Sequence, residues 1–397
     1  MQYPDQILDY FTAPDYLWAI MKEKNPVCEK QKPFEFGENI AGLLGNVPVF
    51  PRIHLKPTHW KAGVIVRTPN WLGDAVMAIP ALYQLRKAMP SECSLSVVVP
   101  RGISGLFRAL EFIDEIIETE NKSFLKSGGD IAGMKRRHAG VGILFNNSFK
   151  NAALMRLAGI PKIYGASARG RRFLLSKAFR FPEIRTGEFN RFHQTGLYLS
   201  IVYSLGAEEW KGGFPEFKVT KKPEHMKREI VELCAKDGLL VLAPGAAYGE
   251  AKRWPSENYR ELSACWIERG GCVAIAGSGK EADIAHVVSK GFPEDRVFNL
   301  AGKTDISELL FILQKAAFCV ANDSGIMHLA AAAGTRGVAI FGSTDPFLTG
   351  PLSAKWKVFQ EKQECAPCFK RECLSGQYKC LRAVRPEDVI DYIKGNL

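Results

Sequence analysis

The chain has 397 residues, of which 46% are hydrophobic and 24% charged, as in ordinary globular proteins. No apolar run approaches the ~20 residues that cross a bilayer, which argues against an integral membrane protein. The N-terminus lacks the basic and apolar regions of a secretory signal, so we expect a cytoplasmic protein.

The net charge of +11 is concentrated in one part of the chain. Residues 121–191 hold 15 Lys and Arg against three Asp and Glu. A solvated face is the ordinary explanation of such a run. A bias this strong also favours an anionic partner, such as a phosphorylated lipid or a membrane surface. No nucleic-acid-binding module is recognisable, so we do not expect nucleic acid as the partner.

Short apolar runs alternate with helical patterns along most of the chain, which predicts parallel α/β sheets. Residues 1–60 are interrupted by prolines and form an N-terminal extension. We predict two Rossmann-like parallel-sheet domains over 61–215 and 216–385, facing across a cleft, followed by a C-terminal helix over 386–397. The predicted strands are 64–66, 95–99, 141–145, 163–165, 239–243, 272–276, 297–300, 318–321 and 338–341.

The most informative stretch spans residues 316–346, where a strand, a tight turn and an Ala-rich helix follow one another. Asp323, Ser324 and Gly325 are expected at the carboxyl end of the strand, the ligand-binding edge of such sheets. The helix start directs backbone N–H groups to that edge, which suits a phosphate. His328 lies one turn further along, and we expect it to act structurally, orienting the loop around Asp323.

Several other second-domain loops converge on the same edge of the sheet. They are rich in small residues and include Lys252, whose cation opposes negative charge, so a nucleotide diphosphate fits this edge. The run Gly277-Ser-Gly279-x-x-Ala282 also matches the dinucleotide fingerprint of nicotinamide enzymes. It follows an internal strand and lacks a well-placed acidic residue on the next strand, so an oxidoreductase remains the alternative.

In the first domain Asp74 is the candidate for general-base chemistry, because it stands where a loop after a strand enters a helix. A helix cap is the more common role for an Asp in this position. Four cysteines near the end, Cys365, Cys368, Cys373 and Cys380, have spacings that are irregular for a zinc site. Zinc binding and free thiols are both left open.

Together these segments resemble the ADP-heptose:lipopolysaccharide heptosyltransferases of glycosyltransferase family 9. The resemblance covers residues 63–397, in order. The segments that carry it are RTPNWLGDAVMAIPAL (67–82), FNNSFKNAAL (145–154), APGAAYGEAKRWP (243–255), the NDSGIMHLAAAAG to FGSTDP region (322–346) and CAPCFKREC (365–373).

The resemblance implies a glycosyltransferase B fold and an inverting reaction that needs neither metal nor cofactor. It implies ADP-heptose as donor and an anionic lipid A–core precursor as acceptor, reached from the cytoplasm or in peripheral contact with the inner membrane. Asp74 matches the catalytic base, and the donor-binding residues are Lys252, Asp323, Ser324, Gly325 and His328, with Glu281 as the acid for the ribose. The acceptor-binding residues are Asn147, Ser148 and Lys150. A non-catalytic anionic-lipid-binding member of the fold is the third hypothesis.

Overall fold

The computed structural model describes residues 44–120, 124, 127–181, 192–219 and 225–396. Most of the predicted N-terminal extension therefore lies outside the described residues. The chain divides into two compact units, with the change from the first to the second between Trp210 and Lys211. No helix in the described ranges is both long and apolar enough to cross a bilayer.

The first unit is built on a six-stranded parallel sheet with strand order β3-β2-β1-β4-β5-β6. Its strands are β1 Val64–Arg67, β2 Leu95–Pro100, β3 Glu115–Thr119, β4 Val141–Leu144, β5 Lys162–Ala166 and β6 Lys177–Phe179. Its helices are α1 Pro57–Lys61, α2 Leu72–Ala88, α3 Ser104–Arg108, α4 Gly128–Lys135, α5 Phe149–Leu157 and α6 Gln194–Ser204, with short 3₁₀ turns at Arg101–Ile103 and Arg171–Leu174.

The second unit repeats this plan, with strand order β12-β11-β10-β7-β8-β9 and every pair parallel. Its strands are β7 Leu239–Ala243, β8 Cys272–Ile275, β9 Val297–Asn299, β10 Phe318–Asn322, β11 Gly337–Ile340 and β12 Trp356–Phe359. Its helices are α7 Arg228–Cys234, α8 Ser256–Glu268, α9 Ala282–Ser289, α10 Ile306–Lys315, α11 Gly325–Ala332, α12 Pro346–Thr349, α13 Lys379–Arg382 and α14 Pro386–Lys394, with 3₁₀ turns at Glu250–Lys252 and Gly279–Glu281.

The central strands are buried along their whole length and are mostly apolar, because helices cover both faces of each sheet. Every residue of β7, β8, β10 and β11 is buried, as is every residue of β1, β2 and β4. The core of the second unit includes the fully buried Trp254 and Tyr259, whose rings meet edge to face with centroids 5.1 Å apart. The two parallel sheets predicted from the sequence are therefore confirmed.

In each sheet the chain order reverses once, between β1 and β4 in the first unit and between β7 and β10 in the second. Loops that leave neighbouring strands at such a point run in opposite directions and open a crevice beyond the carboxyl ends of the strands. Ligands of open α/β sheets bind in that crevice. The two switch points are thus the places at which to look for function.

Candidate active site

At the switch point of the second unit, the buried side chain of Asn322 joins β10 to the loop after β7. Its Nδ2 donates to the carbonyl of Pro244 at 2.7 Å, and its Oδ1 accepts from the backbone N–H of Trp254 and the hydroxyl of Tyr259, each at 3.0 Å. A buried amide with all these partners stabilises the geometry of both loops. Asn322 did not stand out in the sequence as a site residue.

The ion pair of Lys252 and Asp323 lies in this crevice. Lys252 Nζ is 2.5 Å from Asp323 Oδ2, and the two side chains are only 13% and 4% exposed. The hydroxyl of Thr344, in the loop after β11, donates to the same carboxylate oxygen at 2.7 Å. Lys252 and Thr344, from two other loops, therefore converge on the carboxylate of Asp323. Lys252 and Asp323 were predicted from the sequence as site residues.

The start of α11 lies next to this pair. Ser324 occupies the N-cap position, yet its side chain does not cap the helix. Its Oγ is buried and has no hydrogen-bond partner among the described residues, as is also true of Ser343 Oγ in the loop after β11. Gly325 opens the helix, whose first N–H groups lack intrahelical acceptors. An unpartnered hydroxyl beside a helix start and a lysine suits an anionic group of a ligand.

His328 is buried one turn into α11, and the structural role expected for it stays a prediction. Burial lowers the pKa of its imidazole to about 4; the carboxylate of Asp323 raises this pKa, and the Lys252 cation lowers it further. The imidazole is therefore neutral at physiological pH, and it adds no second positive charge beside Lys252.

This depressed pKa predicts a pH dependence of stability. The unfolded chain takes up a proton near pH 6.5 whereas folded His328 does not until about pH 4. The contribution of His328 to the free energy of unfolding is therefore complete above pH 6.5. It is lost as the pH falls towards 4, and the loss is on the order of 3 kcal/mol. Urea unfolding of wild type and His328→Gln across this pH range measures the loss. The free energy of unfolding should fall less steeply in the variant, and parallel curves would contradict the assignment.

Glu281, the residue predicted to bind a ribose, lies at the end of the loop after β8. Its Oε2 accepts from the backbone N–H and the hydroxyl of Ser278 at 2.7 and 2.8 Å, so the carboxylate is held as part of a capping box. Its other oxygen lies against Gly245 in the loop after β7, where an added Cβ would lie 2.2 Å from Oε1. The structure thus places Glu281 beside the switch-point loop.

Gly245→Ala tests this approach directly, because the added methyl group displaces the carboxylate of Glu281. We expect the affinity for ADP to fall at least about tenfold, an effect of 1.4 kcal/mol or more. Gly279→Ala in the neighbouring turn is the matched control, because an added Cβ there meets nothing within 4 Å. Isothermal titration calorimetry with ADP measures both variants. Equal affinities for the two variants would show that the carboxylate is not needed in this position.

The dinucleotide-like run Gly277–Ala282 lies away from the switch point of the second unit. It follows β8, which lies one strand away from the switch point between β7 and β10. Its second glycine, Gly279, opens a short 3₁₀ turn held by the Ser278–Glu281 capping box. The position of this turn therefore disfavours the oxidoreductase alternative.

A further part of the site was not predicted from the sequence, and it centres on Tyr248. The Lys252 ammonium lies 4.7 Å from the centroid of this ring, and the Arg371 guanidinium lies 5.2 Å from it. The Tyr248 hydroxyl donates to the carbonyl of Phe369 at 2.7 Å. The ring thus links the cysteine-bearing segment to the loop that carries Lys252, and two cations lie close to its face.

The cysteines themselves do not form a metal centre in this structure. Among the residues that the structure describes, no group of three or more His, Cys, Asp or Glu side chains is arranged to hold a metal ion. Cys365 is exposed and Cys368, Cys373 and Cys380 are half-buried, all as free thiols. Hydrogen bonds, chiefly from Ser375, lower the pKa of the Cys373 thiol to about 7.

In the first unit, Asp74 lies in the first turn of α2, directly after the loop that leaves β1 at the switch point. Its Oδ1 accepts a hydrogen bond from Gln194 Nε2 at 2.9 Å, and the same amide nitrogen lies 3.1 Å from the hydroxyl of Tyr198. Gln194 is buried at the start of α6. The carboxylate is thus oriented by a neighbouring helix, as a general base requires.

The loop that presents Asp74 lies on a buried arginine, Arg67, at the end of β1. Its Nη1 donates to the Thr68 carbonyl at 2.7 Å and its Nη2 to Asn70 Oδ1 at 2.6 Å. Burial lowers the pKa of this guanidinium to about 10, so it stays charged at neutral pH. Arg67 therefore fixes the loop and places positive charge beneath it.

The three predicted acceptor-binding residues lie across the switch point, where β4 leads into α5. Ser148 caps α5 by accepting from the backbone N–H of Asn151 at 3.3 Å. Asn147 Oδ1 accepts from Arg171 Nη2 at 3.3 Å, while Lys150 is half-buried in the first turn of the helix. These three residues are thus brought to the same sheet edge as Asp74, although Ser148 and Asn147 also have structural partners.

Two units, each built on a six-stranded parallel sheet, are the architecture of the glycosyltransferase B fold. The chain belongs to glycosyltransferase family 9 (heptosyltransferase), whose model matches residues 132–379. It is 26% identical to the Haemophilus influenzae lipooligosaccharide heptosyltransferase 2, over 83% of this chain and 97% of the relative. The family predicted from the sequence is confirmed.

Solved structures show the same fold. The Escherichia coli ADP-heptose LPS heptosyltransferase II superposes with a TM-score of 0.70 at 24% identity, covering 84% of this chain and 98% of that one. The E. coli heptosyltransferase WaaC with ADP superposes with a TM-score of 0.63 at 19% identity, covering 84% and 99%.

Proposed function

We propose that the protein transfers heptose from ADP-heptose to an inner-core acceptor of lipopolysaccharide, a heptosyl-Kdo-lipid A-like molecule, with inversion at the anomeric carbon and without a resident metal. The observation that carries this proposal is the Lys252–Asp323 pair at the start of α11, in a chain of glycosyltransferase family 9. The curated relatives named heptosyltransferase 2 support the choice of sugar and acceptor.

The donor binds at the second switch point. Lys252 and the N–H groups at the start of α11 contact the diphosphate, and the unpartnered hydroxyl of Ser324 donates a hydrogen bond to it. Asp323 and Thr344 hold the lysine in place before the donor arrives. Because these groups are fixed in advance, they stabilise the negative charge that develops on ADP as it leaves.

The acceptor binds at the first switch point, with its hydroxyl hydrogen-bonded to Asp74. The acceptor oxygen forms a bond to the anomeric carbon while the bond from that carbon to the donor phosphate breaks, and the electron pair leaves with ADP. The proton of the hydroxyl passes to the carboxylate of Asp74. Attack from the face opposite the departing ADP inverts the configuration.

The acceptor is lipid-linked, and we propose that the enzyme reaches it as a peripheral protein on the cytoplasmic face of the inner membrane. The first unit supplies the charge for this contact, because residues 169–181 contain five Lys and Arg and no Asp or Glu. Basic surfaces are attracted to the anionic headgroups of that leaflet.

Purified protein, ADP-heptose and a heptosyl-Kdo-lipid A acceptor test the proposal. We expect release of ADP and a product one heptose heavier by mass spectrometry, with UDP- and GDP-sugars inactive. In thermal unfolding, ADP but not NADH should stabilise the protein. Stabilisation by NADH alone would favour the oxidoreductase, and binding of ADP and lipid without turnover would favour a non-catalytic member of the fold.

A further inference from the structure

Two phenylalanine rings are exposed together on the first unit. Phe149 is 43% and Phe173 74% exposed, and their ring centroids lie 5.9 Å apart. Single exposed apolar side chains are common on protein surfaces, but two aromatic rings in contact form an apolar patch that water solvates poorly. This pair therefore requires an explanation.

The position of the pair in the fold relates it to the proposed acceptor site. Phe149 begins α5 directly after β4, and Phe173 lies in the 3₁₀ turn that follows β5. Because β4 and β5 are adjacent parallel strands, both rings lie at the carboxyl edge of the sheet. Asp74 follows β1 at the same edge, and β1 is the other neighbour of β4.

The backbone beneath the rings is held by a buried arginine. Arg171, which is 0% exposed, donates from Nε to the Ala166 carbonyl at 3.1 Å and from Nη1 to the Ser148 carbonyl at 3.2 Å. It thereby joins the turn that carries Phe173 to the residue preceding Phe149. The two rings are presented by a fixed support, which lowers the entropic cost of binding through them.

Two arginines lie at the same edge of the sheet as the rings, Arg172 in the turn after β5 and Arg180 directly after β6. Arg172 and Arg180 are exposed, and within the described ranges neither makes an ion pair. No acidic residue occurs between Asp130 and Glu183. We name Phe149, Phe173, Arg172 and Arg180 the aromatic–basic patch.

We propose that the aromatic–basic patch docks the first unit onto an anionic phospholipid bilayer. The phenylalanine rings enter the apolar boundary beneath the headgroups, and the arginines contact lipid phosphates. The choice of a bilayer rests on the lipid-linked acceptor of the proposed function. Docking by this edge brings the switch point that carries Asp74 to the membrane surface, where the acceptor headgroup is anchored.

Vesicle flotation of the full chain tests the inference. Phosphatidylcholine vesicles with about 30% phosphatidylglycerol should bind the protein, and pure phosphatidylcholine vesicles should bind it far less. Phe149→Ser/Phe173→Ser should weaken binding to the anionic vesicles at least about tenfold. Arg172→Gln/Arg180→Gln should weaken it and reduce its dependence on salt.

Two controls lie on the same unit but away from the patch. Leu157, 56% exposed, ends the helix that Phe149 begins, about 12 Å away. Arg136 is an exposed arginine at the end of α4. Leu157→Ser and Arg136→Gln should leave vesicle binding unchanged. Equal losses in the controls, or no preference of wild type for anionic vesicles, would overturn the proposal, as would a phenylalanine double variant that binds normally.

Flotation needs no donor sugar, so its result is independent of the transfer assay. Wild type that floats but transfers no heptose would refute the proposed function and leave the docking surface standing. Phe149→Ser/Phe173→Ser should retain transfer to a detergent-dispersed acceptor and lose it towards acceptor embedded in vesicles. Equal transfer to both acceptors would refute the docking surface and leave the proposed function standing.

Discussion

Asp74→Asn is expected to lower kcat by roughly 10²–10⁴, the usual contribution of a general base, while the affinity for ADP stays at the wild-type value. Asparagine has the size of aspartate, and its carbonyl oxygen can still accept the hydrogen bond that Gln194 donates. The change removes the negative charge and, with it, the capacity to take the acceptor proton. Single-turnover measurements with saturating ADP-heptose test the expected fall in rate. Calorimetry with ADP tests the unchanged affinity.

The matched control for Asp74→Asn is Glu92→Gln, which neutralises an exposed carboxylate of the same unit. Glu92 precedes β2 and therefore lies at the amino edge of the sheet, away from the switch point. Its variant should turn over at the wild-type rate. A rate for Asp74→Asn within a factor of about three of wild type would exclude Asp74 as the base.

Lys252→Met is expected to weaken ADP binding by about 10–100-fold, because a charge-assisted contact to phosphate contributes about 1.5–3 kcal/mol. It should also destabilise the fold. Asp323 is 4% exposed and would lose the cation that neutralises it, a loss that typically costs 3–5 kcal/mol for a buried pair. Calorimetry with ADP and urea unfolding measure the two effects.

The double variant Lys252→Met/Asp323→Asn separates these effects. It removes the uncompensated charge, so most of the lost stability should return while ADP binding stays weak. Lys290→Met, at an exposed lysine after α9, is the control and should change neither quantity. If the double variant recovered full ADP affinity, Lys252 would be a structural partner of Asp323 rather than a phosphate ligand.

The sequence predicted the central strands of both sheets well and missed three of the strands at the sheet edges. Central parallel strands are buried on both faces and read as continuous apolar runs, as in Leu239–Ala243. The edge strands β3, β6 and β12 are instead short or mixed in polarity, with sequences EIIET, KAF and WKVF. A partly solvated strand carries no such run, and its pairing depends on a neighbour that is distant in sequence.

The candidate site, too, was predicted from the sequence only in part. Asp323, Ser324 and Gly325 were predicted because they form one contiguous segment whose local geometry follows from turn and helix-start chemistry. Thr344 and Gln194 were not predicted, because their roles arise from contacts across the fold. Gln194 meets Asp74 across 120 positions of chain, and Thr344 meets Asp323 across 21. No pattern of spacing in a single sequence records such a pairing.

The hydrogen bonds of Asn322 have a consequence for the pH range over which the enzyme keeps its donor loops in place. Its amide nitrogen donates to a carbonyl, and its amide oxygen accepts from Trp254 and Tyr259. Aspartate in its place would lack the donor, and leucine would lack both the donor and the acceptor. An amide does not ionise, and burial raises the pKa of Tyr259 well above its ordinary value. The joint that Asn322 forms is therefore indifferent to acidity, and changes of pH should leave its hydrogen bonds intact.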